Sequence, residues 1–105
     1  MPEATTLVVN DHEQTRYMIA RMMRLAGFRV LEAATGADAL LLARAEQPDI
    51  VVLDVKLPDM SGVEVCRQIK AMPVHIVVLQ TSAAASPLML SRRRTPSVFG
   101  TSHCD

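Results

Sequence analysis

Three polar clusters in this 105-residue chain each follow an apolar run, and each holds residue types suited to phosphoryl chemistry. Asn10 and Asp11 follow LVV, Asp54 follows DIVVL, and Thr81 and Ser82 follow VHIVVLQ. In an open parallel sheet, ligands bind beyond the carboxyl ends of the strands, where neighbouring crossovers leave to opposite faces. If these runs are neighbouring strands, the Asp11 and Asp54 carboxylates and the Thr81 hydroxyl converge on one crevice. Carboxylates held close together repel, and a hard divalent cation such as Mg2+ relieves the repulsion by taking oxygen ligands while keeping several waters. A carboxylate beside such a cation can attack an in-line phosphoryl group and form an acyl phosphate, with a hydroxyl and backbone N–H groups meeting the transferred oxygens. Asp54 is the candidate nucleophile. Taken singly, each residue also has a plainer role: Asp54 as a loop carboxylate, Asp11 as a helix N-cap, Thr81 as a surface hydroxyl.

The elements that must position these residues are legible as alternating patterns. Thr5 to Val9 is short, apolar and β-branched, as expected of a buried parallel strand. From His12 to Ala26, Met18, Ile19, Met22, Met23 and Leu25 recur at helical spacing before Gly27, a favoured left-handed C-cap residue, and these methionines read as core filling. Phe28 to Ala33 is a second strand. Thr35-Gly36-Ala37-Asp38 resembles a capping box opening a helix to about Gln47, before Pro48. Asp49 to Leu53 has strand length and no helical period. Ser61-Gly62-Val63-Glu64 is a second capping box, opening a helix through about Ala71, and Val74 to Gln80 is the fourth strand. Strands alternating with helices imply right-handed βαβ units and a parallel sheet.

Length and a 50% apolar composition allow one core. Eleven basic and eleven acidic residues cancel, which gives no overall field for nucleic acid or anionic lipid, and neither partner is expected. The balance is uneven along the chain. Residues 1–83 hold ten acidic and eight basic side chains, whereas residues 84–105 hold Arg92, Arg93 and Arg94 against Asp105. The stretch SPLMLSRRRTPSVFGTSHCD has no strand or helix period and reads as loop or disorder, with the arginines solvated. Cys66 and Cys104 are far apart and outside any CxxC or Cys/His spacing, which indicates neither a disulfide framework nor a zinc site and suits a reducing cytosol. Glu3 stands where a signal peptide would be basic, and no apolar run approaches the ~18 residues of a membrane span. A soluble, cytoplasmic chain is expected.

LVVND at 7–11, VVLDVKLPDMSG at 51–62 and VVLQTSA at 77–83 resemble, in order and spacing, the three successive motifs of response-regulator receiver domains. The resemblance covers roughly Thr5 to Ala83, leaving residues 84–105 as an unrelated tail. It implies a flavodoxin-like, doubly wound parallel sheet, here incomplete: four strands and three helices, without the family's fifth strand and last helices. It further implies that Asp54 is the phosphoacceptor, Asp11 a direct Mg2+ ligand with Asp54, and Asn10 a water-mediated one. The Lys56 backbone carbonyl is a further ligand, Thr81 the switch hydroxyl, and Pro58 and Gly62 the residues that shape the loop. The implied partner is a sensor histidine kinase or its phosphohistidine domain, and the implied role is that of a phosphoacceptor rather than an enzyme.

Two departures bear on these expectations. Asn10 replaces the acid usual in the family, which removes one charge and should weaken metal binding modestly. The family's fifth strand ends in a lysine that pairs with the phosphoryl oxygens, and no lysine follows Lys70 here. The abrupt change of composition is what a frameshift, a truncated gene or an altered splice would produce. Strand four would then be an open edge, prone to pair with a second copy. Three rival functions are weighed. An inert or interaction-only receiver fragment fits the missing lysine. A haloacid-dehalogenase-type phosphohydrolase is disfavoured because Lys56 stands where its second acid belongs. A nucleotide-binding Rossmann domain is disfavoured because the first strand-to-helix turn, NDHEQT, has no glycine.

Overall fold

The apolar runs form four parallel strands, β1 (Thr5–Val9), β2 (Arg29–Ala33), β3 (Ile50–Asp54) and β4 (Val77–Thr81), in the computed structural model, which describes residues 3–81. Helices α1 (Glu13–Leu25), α2 (Gly36–Glu46) and α3 (Gly62–Lys70) connect them. The sheet order is β2-β1-β3-β4. The chain therefore steps outward from β1 to β2, then crosses back over β1 to β3. With right-handed crossovers this sends α1 to one face and α2 and α3 to the other. The order reverses between β1 and β3, so their carboxyl ends flank the crevice of a doubly wound sheet.

Strand period sorts the side chains. Leu7 and Val9 pair in register with Val51 and Leu53. They join Ala39, Ala43, Val65, Cys66, Ile69 and Val78 in one buried cluster beneath α2 and α3. Thr6, Val8 and Val52 alternate to the opposite face and are buried, as is Ala20 of α1. Cys66 is fully buried in this cluster; Cys104 lies outside the described residues. The expected boundary at residue 83 and the tail 84–105 lie outside them too.

Helix α1 corrects the reading of its methionines. Met18 and Met22 are 51% and 56% exposed, and Tyr17 and Leu25 are exposed with them. The helix meets the sheet through Ala20, with Ile19 and Met23 partly covered beside it, so Met18 and Met22, two positions before and after Ala20, point outward. Strand β4 begins at Val77 rather than Val74. The Val77 N–H donates to Asp49 O at 3.0 Å, and the preceding Ile76 carbonyl accepts from Lys70 Nζ at 2.7 Å. Asp49 gathers three strand starts: its N–H donates to Thr5 O at 2.9 Å, its Oδ2 accepts from Thr5 N at 2.7 Å, and its carbonyl receives Val77. Among the described residues, no helix is long and apolar enough to cross a membrane.

Both expected capping boxes form on their first half. Thr35 Oγ1 accepts from Asp38 N and Ser61 Oγ from Glu64 N, each at 3.1 Å. Glu64 does not reach back, because its carboxylate is taken by Arg67 and Gln68 one turn on. Helix α2 ends on Gln47 in the left-handed conformation, φ 47°. A side chain there crowds the following carbonyl, a cost that glycine avoids. Gln47→Gly should stabilise the fold by about 0.5–1 kcal/mol, read as a higher urea midpoint with an unchanged slope.

Candidate functional site

The crevice between β1 and β3 is built from backbone outward. Asn10 is the first residue past β1, and its N–H continues the ladder to Ala33 O of β2 at 3.1 Å. Its buried carboxamide turns back, and Oδ1 accepts the His12 N–H at 2.8 Å, which closes the strand-to-helix turn. One lone pair of that oxygen remains for a water. The N-cap of α1 is His12, whose Nδ1 accepts from Thr15 N at 3.3 Å. That removes the plainer role for Asp11: its exposed carboxylate is not the helix cap.

Asp54 ends β3 in register with Thr81, and its carboxyl is half-buried. Burial pushes its pKa above the ordinary 3.8, and the negative charge of Asp11 pushes the same way. The Lys56 and Val55 N–H groups and the Lys56 ammonium oppose the rise. Thr81 Oγ1 donates to Leu53 O at 3.5 Å, while Val55 N donates to Thr81 O at 3.1 Å. Asp11, Asp54 and Thr81 thus meet at one end of the sheet, as their positions after strands one, three and four required.

The loop after Asp54 folds back on it. Lys56 N donates to Asp54 Oδ1 at 3.4 Å, and Lys56 forms an isolated antiparallel bridge with Ser61. Gly62 N donates to Val55 O at 2.6 Å. A Cβ on Gly62 would lie 2.2 Å from Asp54 O and 2.8 Å from Val55 Cα, so only glycine lets α3 begin against the backbone of Asp54. Pro58 is exposed at the tip of the same loop.

Sequence reading missed two side chains here. Asp59 grips the start of α2: its Oδ1 accepts from Gly36 N at 2.8 Å and its Oδ2 from Ala37 N at 2.9 Å. Those two N–H groups hold its pKa below the ordinary 3.8. Arg16 donates Nη1 to Asn10 O at 2.9 Å and Nε to Glu32 Oε1 at 3.2 Å, tying the turn that carries Asp11 to β2. A helical arginine with an acid in the next strand was the available signal for the second; the first has none short of the fold.

Among the described residues, no three His, Cys, Asp or Glu side chains gather closely enough to hold a metal ion. Mg2+ does not need them. It binds through one or two carboxylates, completing its octahedron with water and other oxygens, so a half-buried carboxylate whose pKa is raised by burial and by a neighbouring carboxylate suits it.

Residues 6–95 match the family described as the response regulator receiver domain. The alkaline phosphatase synthesis transcriptional regulatory protein PhoP of Bacillus subtilis (strain 168) is 36% identical over 77 residues, which is 73% of this chain and 32% of that protein. This chain therefore spans about a third of the length of that relative. Among solved structures, the signal receiver domain of the putative response regulator NarL from Mycobacterium tuberculosis superposes with a TM-score of 0.73 and 32% identity, over 87% of this chain and 76% of that one. A response regulator from Burkholderia pseudomallei with a phosphorylated aspartic acid, calcium ion and citrate gives a TM-score of 0.71 and 25% identity, over 86% and 53%.

The two loop carboxyls should titrate on opposite sides of 3.8 in the metal-free protein. Carbon-detected NMR should place Asp54 above that value and Asp59 below it, and Asp11→Asn should move Asp54 down. The signs follow by linkage. Asp59, depressed in the fold, contributes stability above 3.8 that is lost as pH falls through its lower native value. Asp54, raised in the fold, works in reverse, favouring the native state as pH falls through its higher value.

Proposed function

This chain belongs to the response regulator receiver domains of two-component phosphorelay signalling, and from that membership we propose that it accepts a phosphoryl group on Asp54 from the phosphohistidine of a sensor histidine kinase. The observation that carries the assignment is the pairing of a half-buried Asp54 with Asp11 across the β1–β3 switch point, with Thr81 in register beside it. The phosphorylated aspartic acid of the Burkholderia pseudomallei relative supports it by analogy.

In this reading an Asp54 oxygen attacks phosphorus, the P–N bond to the donor imidazole breaks with its electron pair leaving on nitrogen, and an aspartyl phosphate remains. Burial removes water from the carboxylate and raises its basicity, which favours attack. The residues that would hold Mg2+ are Asp11, Asp54 and the Lys56 carbonyl, with Asn10 acting through a water. When bound, the cation neutralises phosphoryl charge and relieves the repulsion between the carboxylates. The Lys56 and Val55 amides lie close enough to bond Asp54 now and can turn to the transferred oxygens. Thr81, released from Leu53 O, supplies a hydroxyl to the same group. Gly62 and Pro58 fix the loop that carries these donors.

The absence of lysine from residues 71–105 favours a second reading, an inert or interaction-only receiver fragment that does not take up phosphate. The position of Lys56 two residues after Asp54 argues against a phosphohydrolase. We place the receiver unit at residues 5–83, on the change of composition after Ala85. Cytoplasmic placement fits a kinase partner, and β4, the last strand of the described sheet, offers an edge for self-association.

Incubation with acetyl phosphate and Mg2+ should add one phosphoryl mass to the intact chain, labile to base and hydroxylamine. Asp54→Asn should abolish it and Asp11→Asn should slow it by about tenfold or more. No adduct, together with no saturable Mg2+ response that Asp11→Ala removes, would favour the inert fragment instead.

A further inference from the structure

The base of the Val55–Ser61 loop is held by the Lys56–Ser61 bridge and by the bonds from Gly62 N to Val55 O and from Val55 N to Thr81 O, and Leu57 and Met60 pack on the core. The tip is held by a side chain of its own. Asp59 spans 23 residues of sequence to Gly36 and 22 to Ala37, each carboxylate oxygen taking one N–H. Helix α2 already has a side-chain cap in Thr35, which binds a different amide, that of Asp38. Asp59 is therefore an addition to an N-terminus already capped by its own residue. The neighbouring contact has the same form. A Cβ on Gly36 would lie 2.5 Å from Met60 Cγ and 2.8 Å from its sulfur, so the side chain after Asp59 occupies the space that Gly36 leaves.

The mechanical consequence reaches Asp54. Lys56 is the residue through which the loop meets the acceptor, by its N–H to Asp54 Oδ1, and it is bridged across the loop to Ser61. A loop anchored at Asp59 leaves the Lys56 peptide little freedom to turn. An unanchored loop retains the bonds at its base and the packing of Leu57 and Met60, but no hydrogen bond from its tip to α2.

We propose that Asp59 is a positioning residue of this receiver, which holds the acceptor loop against the start of α2 and thereby fixes the Lys56 peptide that faces Asp54. The proposal deepens the phosphoacceptor reading and rests on it for its functional consequence. Partners that orient metal-binding groups commonly change affinity by about 10- to 100-fold when removed.

The test compares Asp59→Ala with Thr35→Ala in the full chain. Both remove a cap from the same helix terminus, but only the first touches the loop. Two readouts are taken: amide hydrogen exchange of residues 55–62, and Mg2+ titration followed by the Lys56 amide resonance. Asp59→Ala should speed loop exchange and weaken Mg2+ binding by about tenfold each, and Asp59→Asn, which keeps one acceptor oxygen, should recover part of both. Thr35→Ala should leave both within about twofold of the parent, because it acts only on helix stability. Equal effects of Asp59→Ala and Thr35→Ala, or unchanged loop exchange in Asp59→Ala, would overturn the proposal. A parent chain showing no Mg2+ response that Asp11→Ala removes would overturn the phosphoacceptor reading alone, and the exchange comparison would still decide whether Asp59 holds the loop.

Discussion

Two like charges stand at the carboxyl ends of neighbouring strands, and much of the surrounding structure serves to keep them there. Asp54 is half-buried and feels Asp11, so its carboxyl resists ionisation. Left to itself, such a pair would relax by turning the side chains into water. The β1–β3 ladder keeps the backbones that carry them side by side by setting Val9 opposite Leu53, and the fully buried Leu7, Val51 and Leu53 make the register costly to slip. A slip by one residue would carry both core faces to the wrong side of the sheet.

The two turns that carry the charges are held by different means. On the β1 side the turn is self-contained: Asn10 accepts from His12, His12 caps α1, and Arg16 reaches back to the Asn10 carbonyl. On the β3 side the loop is long, and its order comes from elsewhere, through Gly62 pressed on the Asp54 backbone and Asp59 on α2. Substitutions in the first turn therefore act locally, whereas the second couples the loop after Asp54 to the start of α2.

Much of this was legible before any coordinates, for physical reasons. A continuous apolar run such as IVVL has few readings other than a doubly covered strand, and the alternation with helices left parallel topology as the consistent choice. Thr35 and Ser61 announced their helices because capping is local. Sequence failed where several residues of one type competed for a role. Asn10, Asp11 and His12 are adjacent polar candidates for one cap, and only the backbone turn selects His12. Helix α1 is apolar on more than one face, so its period did not show that Met18 and Met22 point outward. Asp59 was hidden because its partners are 22 and 23 residues away.

The central claim is that Asp54 stands in a conflict of charge and burial that a divalent cation resolves. Chemical denaturation of the parent and of Asp54→Asn, across a Mg2+ series at constant ionic strength, tests it most directly. Without metal, Asp54→Asn should be the more stable of the two, since it removes both the repulsion and the cost of burying a charge. With metal, the parent alone should gain stability, rising with the logarithm of Mg2+ concentration above its dissociation constant. An Asp54→Asn protein that is less stable than the parent without metal, or that gains as much from Mg2+, would contradict the account.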